Sequence, residues 1–278
     1  MPTTPPAFLI LDDALVHARE GAALRLAGEE GRHAAKVARI GAGERILLSD
    51  QSGRQVLAVV ETAHKEALDL RLEGDPTPPV VRSPGLVLVQ ALATGGRDEQ
   101  AVESATELGV DRVVPWQAAR SVSVWKGEKL RKGRAKWENV VRAAVKQCRR
   151  PGIPVVEEPM STTQLTEDVR DRTRAGSLVL VLHEQESVGL MSMAGDIRAM
   201  GERTTGEQPL TDSSEGGEAS SPEIVVIVGP EGGIADDELA QLRDAGARTV
   251  LLGPEVLRSS TAGPAAIAVL SALVGRWG

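Results

Sequence analysis

Ile224-Val-Val-Ile-Val228 runs without a break into Gly229-Pro-Glu-Gly-Gly233, and the reading of this junction decides the fold. Five apolar residues in a row, bounded by glycine, read as a strand buried on both faces. Ile234 and a helix follow, with Asp236 as the expected N-cap and Leu239 and Leu242 on the inner side. A buried strand, a glycine turn and an amphipathic helix form the repeating unit of a parallel α/β sheet. Glycines at a strand's C-terminal end let backbone amides and carbonyls approach a ligand that a β-carbon would block. The carboxyl edge is also where open α/β sheets bind ligands. The spacing matches neither the dinucleotide nor the phosphate-loop pattern, so alone the junction is equally a connector.

A second junction follows. Val250-Leu-Leu252 reads as a strand entering Gly253-Pro-Glu-Val-Leu-Arg258, then a helix from Ser259. Ser259, Ser260 or Thr261 can cap that helix, and Pro264 is expected in its first turn. Two such loops can wall one pocket. Arg258 at its mouth suits an anionic group or a charge developing in a reaction, or else a salt bridge closing the loop. Further apolar runs at 86–92, 112–114 and 178–182 complete the strand set, and Ala101, Val102, Ala105 and Leu108 mark a helix over 98–108 stopped by Gly109. Upstream, short strands at 45–49, 55–60 and 67–72 predict a small β-rich domain over 1–75. The proline-rich stretch 76–85 reads as a linker, and 86–278 as the α/β domain. Residues 202–222, polar and rich in Gly, Ser, Thr and acids, read as a disordered insertion without chemistry.

The chain of 278 residues carries 32 Lys plus Arg against 39 Asp plus Glu, a net charge of −7, which argues against an obvious nucleic-acid binder. The average conceals a basic block: residues 77–156 hold 14 basic and 7 acidic side chains. Projected as a helix from Arg134, Trp137, Val140, Val141, Ala144, Val145 and Cys148 share one face, while Lys136, Arg142, Lys146, Arg149 and Arg150 share the other. That basic face is either a solvated surface or a phosphate-contact surface. Aromatics are only 2%, with one Phe, four Trp and no Tyr, which excludes a sheet of base-stacking aromatics. A single cysteine, Cys148, excludes a disulfide framework and a multi-cysteine metal site, and fits a reducing, cytoplasmic setting. His17, His33 and His64 are scattered, so no metal is expected. No secretory signal opens the chain, and the longest apolar stretch, 262–274, is too short for a membrane span.

The two loops, Gly229-Pro-Glu-Gly-Gly233 and Leu252-Gly-Pro-Glu-Val-Leu-Arg258-Ser-Ser-Thr-Ala262, closely resemble the C-terminal signature of the RsmE family, the 16S rRNA (uracil-1498-N3)-methyltransferases of the SPOUT class. Further matches are His33-Ala-Ala-Lys-Val-Ala-Arg39, Ala105-Thr-Glu-Leu-Gly-Val110, Ala119-Arg-Ser121 and Ala143-Ala-Val-Lys-Gln-Cys-Arg149. The resemblance covers nearly the whole chain apart from 202–222. It implies an N-terminal PUA-like β-barrel that helps hold rRNA, a C-terminal SPOUT domain with a trefoil knot, and a homodimer with the knots at the interface. It implies S-adenosyl-L-methionine as cofactor, held by Leu182, His183, Gly229, Pro230, Glu231, Gly232, Gly233, Leu252, Gly253 and Leu257. The partner it implies is 16S rRNA or the small ribosomal subunit, and the residues expected to contact it are Arg39, Arg120, Arg142, Lys146, Arg149 and Arg150.

The reaction so implied needs uridine stabilised as an anion, a task for Arg258 or Arg120. Glu231 would either shape its loop or help remove the proton. His183 is a base by chemistry, but a histidine directly after a buried strand is more often bonded to backbone. Two departures from the family pattern stand out. Ser260 replaces a glutamate of many relatives, and Ser104 a lysine, whose cation Arg97 could replace. Two other readings stay open: a related SPOUT enzyme acting on tRNA or a ribose hydroxyl, and a non-catalytic RNA-binding protein with a degenerate pocket.

Overall fold

The computed structural model describes residues 5–205 and 221–277, so most of the 202–222 segment lies outside the described residues. The chain divides into two units, Met1–Val81 with Arg142–Ile153, and Arg82–Val141 with Pro154–Gly278.

The first unit is built on β1 (Ala7–Leu9), β2 (Ala23–Leu26), β3 (Arg45–Ser49), β4 (Gln55–Ala63) and β5 (Leu68–Leu72), in the order β1-β3-β4-β5-β2. β1 runs parallel to β3 and the other ladders are antiparallel. Period-2 alternation sends Ile46, Leu48, Val56, Ala58, Val60, Leu68, Leu70 and Leu72 to one face, where they bury Phe8, Leu15 and Leu26. The path is open between β1 and β2, so it makes half a barrel rather than a closed one. A short helix α1 (Gly28–Arg32) continues into a π-helical turn over His33–Val37. Residues just after β5 stay attached to this unit: Thr77 N–H donates to Gln55 at 2.9 Å and Val80 N–H to Ser52 at 3.0 Å.

The second unit is a parallel sheet of β6 (Gly85–Ala91), β7 (Arg112–Gln117), β8 (Val155–Val156), β9 (Met160–Ser161), β10 (Leu178–Leu182), β11 (Glu223–Val228) and β12 (Arg248–Val250). Its order is β12-β10-β11-β6-β7-β8, with β9 beside the end of β7. Among the described residues six helices alternate with the strands: α2 (Arg97–Glu107), α3 (Glu128–Cys148, which passes into the first unit at Arg142), α4 (Thr162–Arg174), α5 (Ala194–Thr205), α6 (Asp236–Asp244) and α7 (Ser259–Leu273). The near-continuous apolar runs of β6, β10 and β11 are buried, as strands covered on both faces require.

Four local expectations are corrected. β12 ends at Val250, because Leu251 leaves the ladder: its N–H donates to Val188 and its carbonyl accepts from Leu190, both at 2.8 Å. Leu252 is therefore a loop residue. Asp236 is the first helical residue of α6 and Ala235 takes the cap position. Alanine has no side-chain acceptor, so only Glu238 reaching back to the Ala235 N–H, at 3.2 Å, is made. In α7 the cap position is Arg258, whose carbonyl accepts from Thr261 and Ala262 while no side chain caps, and Pro264 falls in the second turn. Finally, α3 starts at Glu128 rather than Arg134. Trp137, Val141, Ala144 and Val145 on its apolar face are buried, with Val140 and Cys148 half-buried.

Candidate functional site

Three connections leave the carboxyl edge of the sheet next to one another, after β10, β11 and β12, because those strands pair β12-β10-β11. Between them lies a cavity of about 650 Å³. Every residue expected to hold the cofactor lines it: Leu182, His183, Gly229, Pro230, Glu231, Gly232, Gly233, Leu252, Gly253 and Leu257, joined by Arg97, Arg120 and Arg258.

Two of the loop glycines meet a local steric requirement. A β-carbon on Gly229 would sit 2.6 Å from Cγ1 of Ile234, which is itself buried in the core. Gly233 adopts φ +73° and its N–H closes a turn on the Pro230 carbonyl at 2.9 Å. The Arg120 guanidinium lies against this loop, donating toward the carbonyls of Gly232 (3.4 Å) and Ile234 (3.3 Å). Arg120 thus braces the glycine loop as well as lining the cavity.

Glu231 is anchored from outside its loop. Its Oε1 accepts from the Thr94 N–H (3.1 Å), the Thr94 hydroxyl (3.2 Å) and Arg97 (2.9 Å). Burial acts to raise this carboxyl, but hydrogen bonds from its own N–H, from Thr94 and from Arg97 outweigh it, holding Glu231 below the ordinary carboxylate range. A carboxylate so held is a weak base.

Arg258 is exposed and makes no side-chain hydrogen bond or ion pair among the described residues, so no salt bridge closes its loop. His183 donates its N–H to Val250 at 3.0 Å, and its Nδ1 lies 3.4 Å from the Gln185 N–H. It shapes the first few residues after β10. Ser260 is buried at the start of α7.

Two carboxylates escaped the sequence reading. Glu238, 2% exposed, accepts from Ala119 N–H (2.8 Å), the Thr162 hydroxyl (2.5 Å) and Ala235 N–H (3.2 Å), tying the Arg120 segment to α6. Its position at the third residue of α6 was a cap signal, but its distant partners left none. Glu186 accepts from the Thr249 hydroxyl, Ser187 N–H and Arg243, and these bonds, Thr249's foremost, lower its carboxyl. They fasten the connection after β10 to β12.

The expected RNA contacts other than Arg120 fall in the first unit: Arg39, Arg142, Lys146, Arg149 and Arg150. Arg39 and Arg149 are exposed and share the left-handed backbone conformation, φ 55° each. Lys146 is ion-paired with the buried Glu30, while Arg142 and Arg150 are half-buried and engaged by other groups. Lys136, on the second unit's part of α3, pairs with Glu99 at 2.5 Å. Much of the basic face is therefore neutralised internally. Among the described residues no cluster of three His, Cys, Asp or Glu could hold a metal ion, and no helix is long and apolar enough to cross a membrane.

Comparison with known proteins adds a second line. Residues 81–271 match the family model of an RNA methyltransferase domain, and residues 26–73 that of an RNA methyltransferase PUA domain. The chain is 42% identical over 257 residues to the ribosomal RNA small subunit methyltransferase E of Mycobacterium bovis, covering 92% of this chain and 89% of that one. The enzyme of the same name from Bacillus subtilis is 26% identical over 257 residues, 91% of each chain. Among solved structures, a methyltransferase from Legionella pneumophila with the cofactor SAM bound superposes with a TM-score of 0.76, at 26% identity over 97% of this chain and 98% of that one. Ribosomal RNA small subunit methyltransferase E from Neisseria gonorrhoeae, bound to S-adenosyl methionine, gives the same score and coverage at 24% identity and shares the fold.

Proposed function

The chain belongs to the ribosomal RNA small subunit methyltransferase E family, and from that premise we propose that it methylates N3 of one uridine, uracil-1498, in 16S rRNA, using S-adenosyl-L-methionine bound in the three-loop cavity. The observation that carries this reading is the convergence of all ten expected cofactor residues on that single cavity of about 650 Å³.

The residues present fit such a ligand. Gly229, Gly232 and Gly253 all line the cavity, so backbone as well as side chains is presented to an adenosine and an amino-acid group. When bound, the cofactor supplies a methyl group on a positively charged sulfur. The protein must then position uridine in line with that methyl and favour the base as an anion. Arg258, unpaired at the cavity mouth, stabilises the negative charge left when N3 gives up its proton to solvent water. Arg120 also lines the cavity but is bonded to the loop carbonyls. Glu231 keeps the glycine loop in register with α2 through the bonds that Thr94 and Arg97 make to its Oε1, and its lowered carboxyl makes it a poor acceptor for the proton. Arg97 supplies a cation near the pocket where Ser104 supplies none. Arg39 and Arg149 are proposed as rRNA contacts of the N-terminal unit. A cytoplasmic homodimer with a trefoil knot near the cavity completes the reading.

The test is to delete the gene, map N3-methyluridine in 16S rRNA, and complement with this chain. Loss of one N3-methyluridine on deletion and its return on complementation is the expected result; an unchanged methylation map overturns the proposal.

A further inference from the structure

We propose that a second feature of the methyltransferase unit, the 121–127 connection with Lys129 and Lys132 of the α3 lysine row, is a docking track for the RNA strand that flanks the reacting base. The inference rests on the methyltransferase reading above, since that reading makes a single RNA strand the occupant.

Its position follows from contacts. The connection begins at Arg120, which lines the cavity. Gln117, the last residue of β7 at the sheet's carboxyl edge, holds it twice, donating from Nε2 to the Ser123 carbonyl and accepting at Oε1 from the Trp125 N–H, both at 3.0 Å. Trp125 packs edge-on against Trp137 with ring centroids 5.7 Å apart, and covers Gly133, where a β-carbon would lie 2.5 Å from the indole. The connection is therefore fixed to α3. With its backbone so held, it leaves Val122 74% and Val124 44% exposed.

On α3, residues 129, 132 and 136 recur at helical spacing and share one flank, and Lys129 and Lys132 lie on the order of 5–6 Å apart, close enough for adjacent phosphates of one strand. Lys136 locates that flank. Its Nζ meets Glu99 in the first turn of α2, two residues beyond the Arg97 that holds Glu231 of the glycine loop. The lysine row thus runs toward the cavity mouth.

Charge selects the partner. Residues 120–136 contain seven Lys and Arg against one acid, Glu128. Lys126 and Lys129 have no ion-pair partner among the described residues, and Lys132 has only the exposed Glu128 one turn away at 3.1 Å. Exposed pairs of that kind contribute little and yield readily to a phosphate. Open aliphatic side chains beside unpaired ammonium groups suit ribose edges and phosphates, not stacked bases. By contrast Lys146, farther along α3, is already committed to Glu30.

The experiment titrates full-length K126A/K129A/K132A with in vitro transcribed 16S rRNA between 50 and 200 mM salt, alongside S-adenosylmethionine binding and methyl transfer. Three lost phosphate contacts should reduce the salt slope by about 2 and weaken binding roughly tenfold. S-adenosylmethionine affinity and kcat should stay unchanged, with KM for RNA raised, and the K126R/K129R/K132R variant should restore both slope and affinity. An unchanged Kd and slope in the alanine variant overturns the track. So does a defect seen only on assembled small subunits and not on naked rRNA, which would assign the surface to a ribosomal protein. A wild-type chain that neither binds nor methylates 16S rRNA, whether naked or in the small subunit, overturns the functional reading itself, and the track with it.

Discussion

Arg97 and Glu231 meet at 2.9 Å although 134 positions separate them in the chain, so the first turn of α2 and the glycine loop after β11 are tied directly to one another. Because Glu231 is held as a carboxylate by donors rather than poised near neutrality, removing its charge should loosen the loop without removing a base. We expect E231Q and R97A each to raise KM for S-adenosylmethionine several-fold and lower kcat less than tenfold, with the double variant little worse than either single one. A general base would instead cost about 10²–10⁴ in rate. The pH dependence has a defined sign: Glu231 titrates lower in the folded chain than in the unfolded one. Its contribution is complete above the unfolded carboxylate range, about 4.3, and is lost as pH falls through the lower folded value. The melting-temperature gap between wild type and E231Q should therefore hold steady above about pH 5 and shrink below pH 4.

Arg258 has no partner to lose. R258A should consequently fold normally and bind S-adenosylmethionine within about threefold of wild type, while methyl transfer falls by roughly 10²–10³, the loss typical of removing one donor from a developing anion. Isothermal titration and single-turnover transfer separate the two effects. Unchanged turnover would take Arg258 out of the reaction and leave Arg120 as the charge acceptor.

How legible all this was depended on the range of each interaction. Strand cores were readable because an apolar run between glycines has one stable home, so 45–49 and 178–182 keep their bounds as β3 and β10. Where a tertiary bond decides the end of an element, local pattern misleads: Leu251 and Leu252 look like strand, but Leu251 bonds the 188–190 segment. The cofactor loops were legible because glycine's steric reason is local, as at Gly229 beside Ile234. The anchors of those loops were not, since Thr94, Arg97 and Glu238 act on residues more than 75 positions away. The basic face of α3 was legible as charge, but not as charge already neutralised by Glu30 and Glu99.

Gly229 offers a steric test. A methyl group there must displace Ile234, which is only 4% exposed and packed into the sheet's core. Overpacking of this kind costs about 1–3 kcal/mol, and here the strain falls on the loop that lines the cavity. G229A is expected to lower the melting temperature by a few degrees and weaken S-adenosylmethionine binding at least tenfold. The double variant G229A/I234V, which returns volume at the point of overlap, should recover part of both. Recovery of stability without recovery of binding would overturn the overlap with Ile234 as the cause of the binding defect.

Lys146 separates a structural from a substrate role. Its partner Glu30 is 9% exposed, and the other oxygen of that carboxylate accepts the Leu9 N–H at 3.2 Å, so the pair helps hold β1 within the first unit. Truncating one partner strands a buried charge, which costs more than the pair contributes. K146A should therefore lose about 1–3 kcal/mol in denaturant unfolding, whereas E30Q/K146M, which removes both charges, should recover most of that loss. If pairing with Glu30 is the main role of Lys146, the salt slope of rRNA binding by folded K146A should match wild type. A slope reduced by nearly one unit, with stability unchanged, would instead make Lys146 a phosphate contact that exchanges Glu30 for RNA.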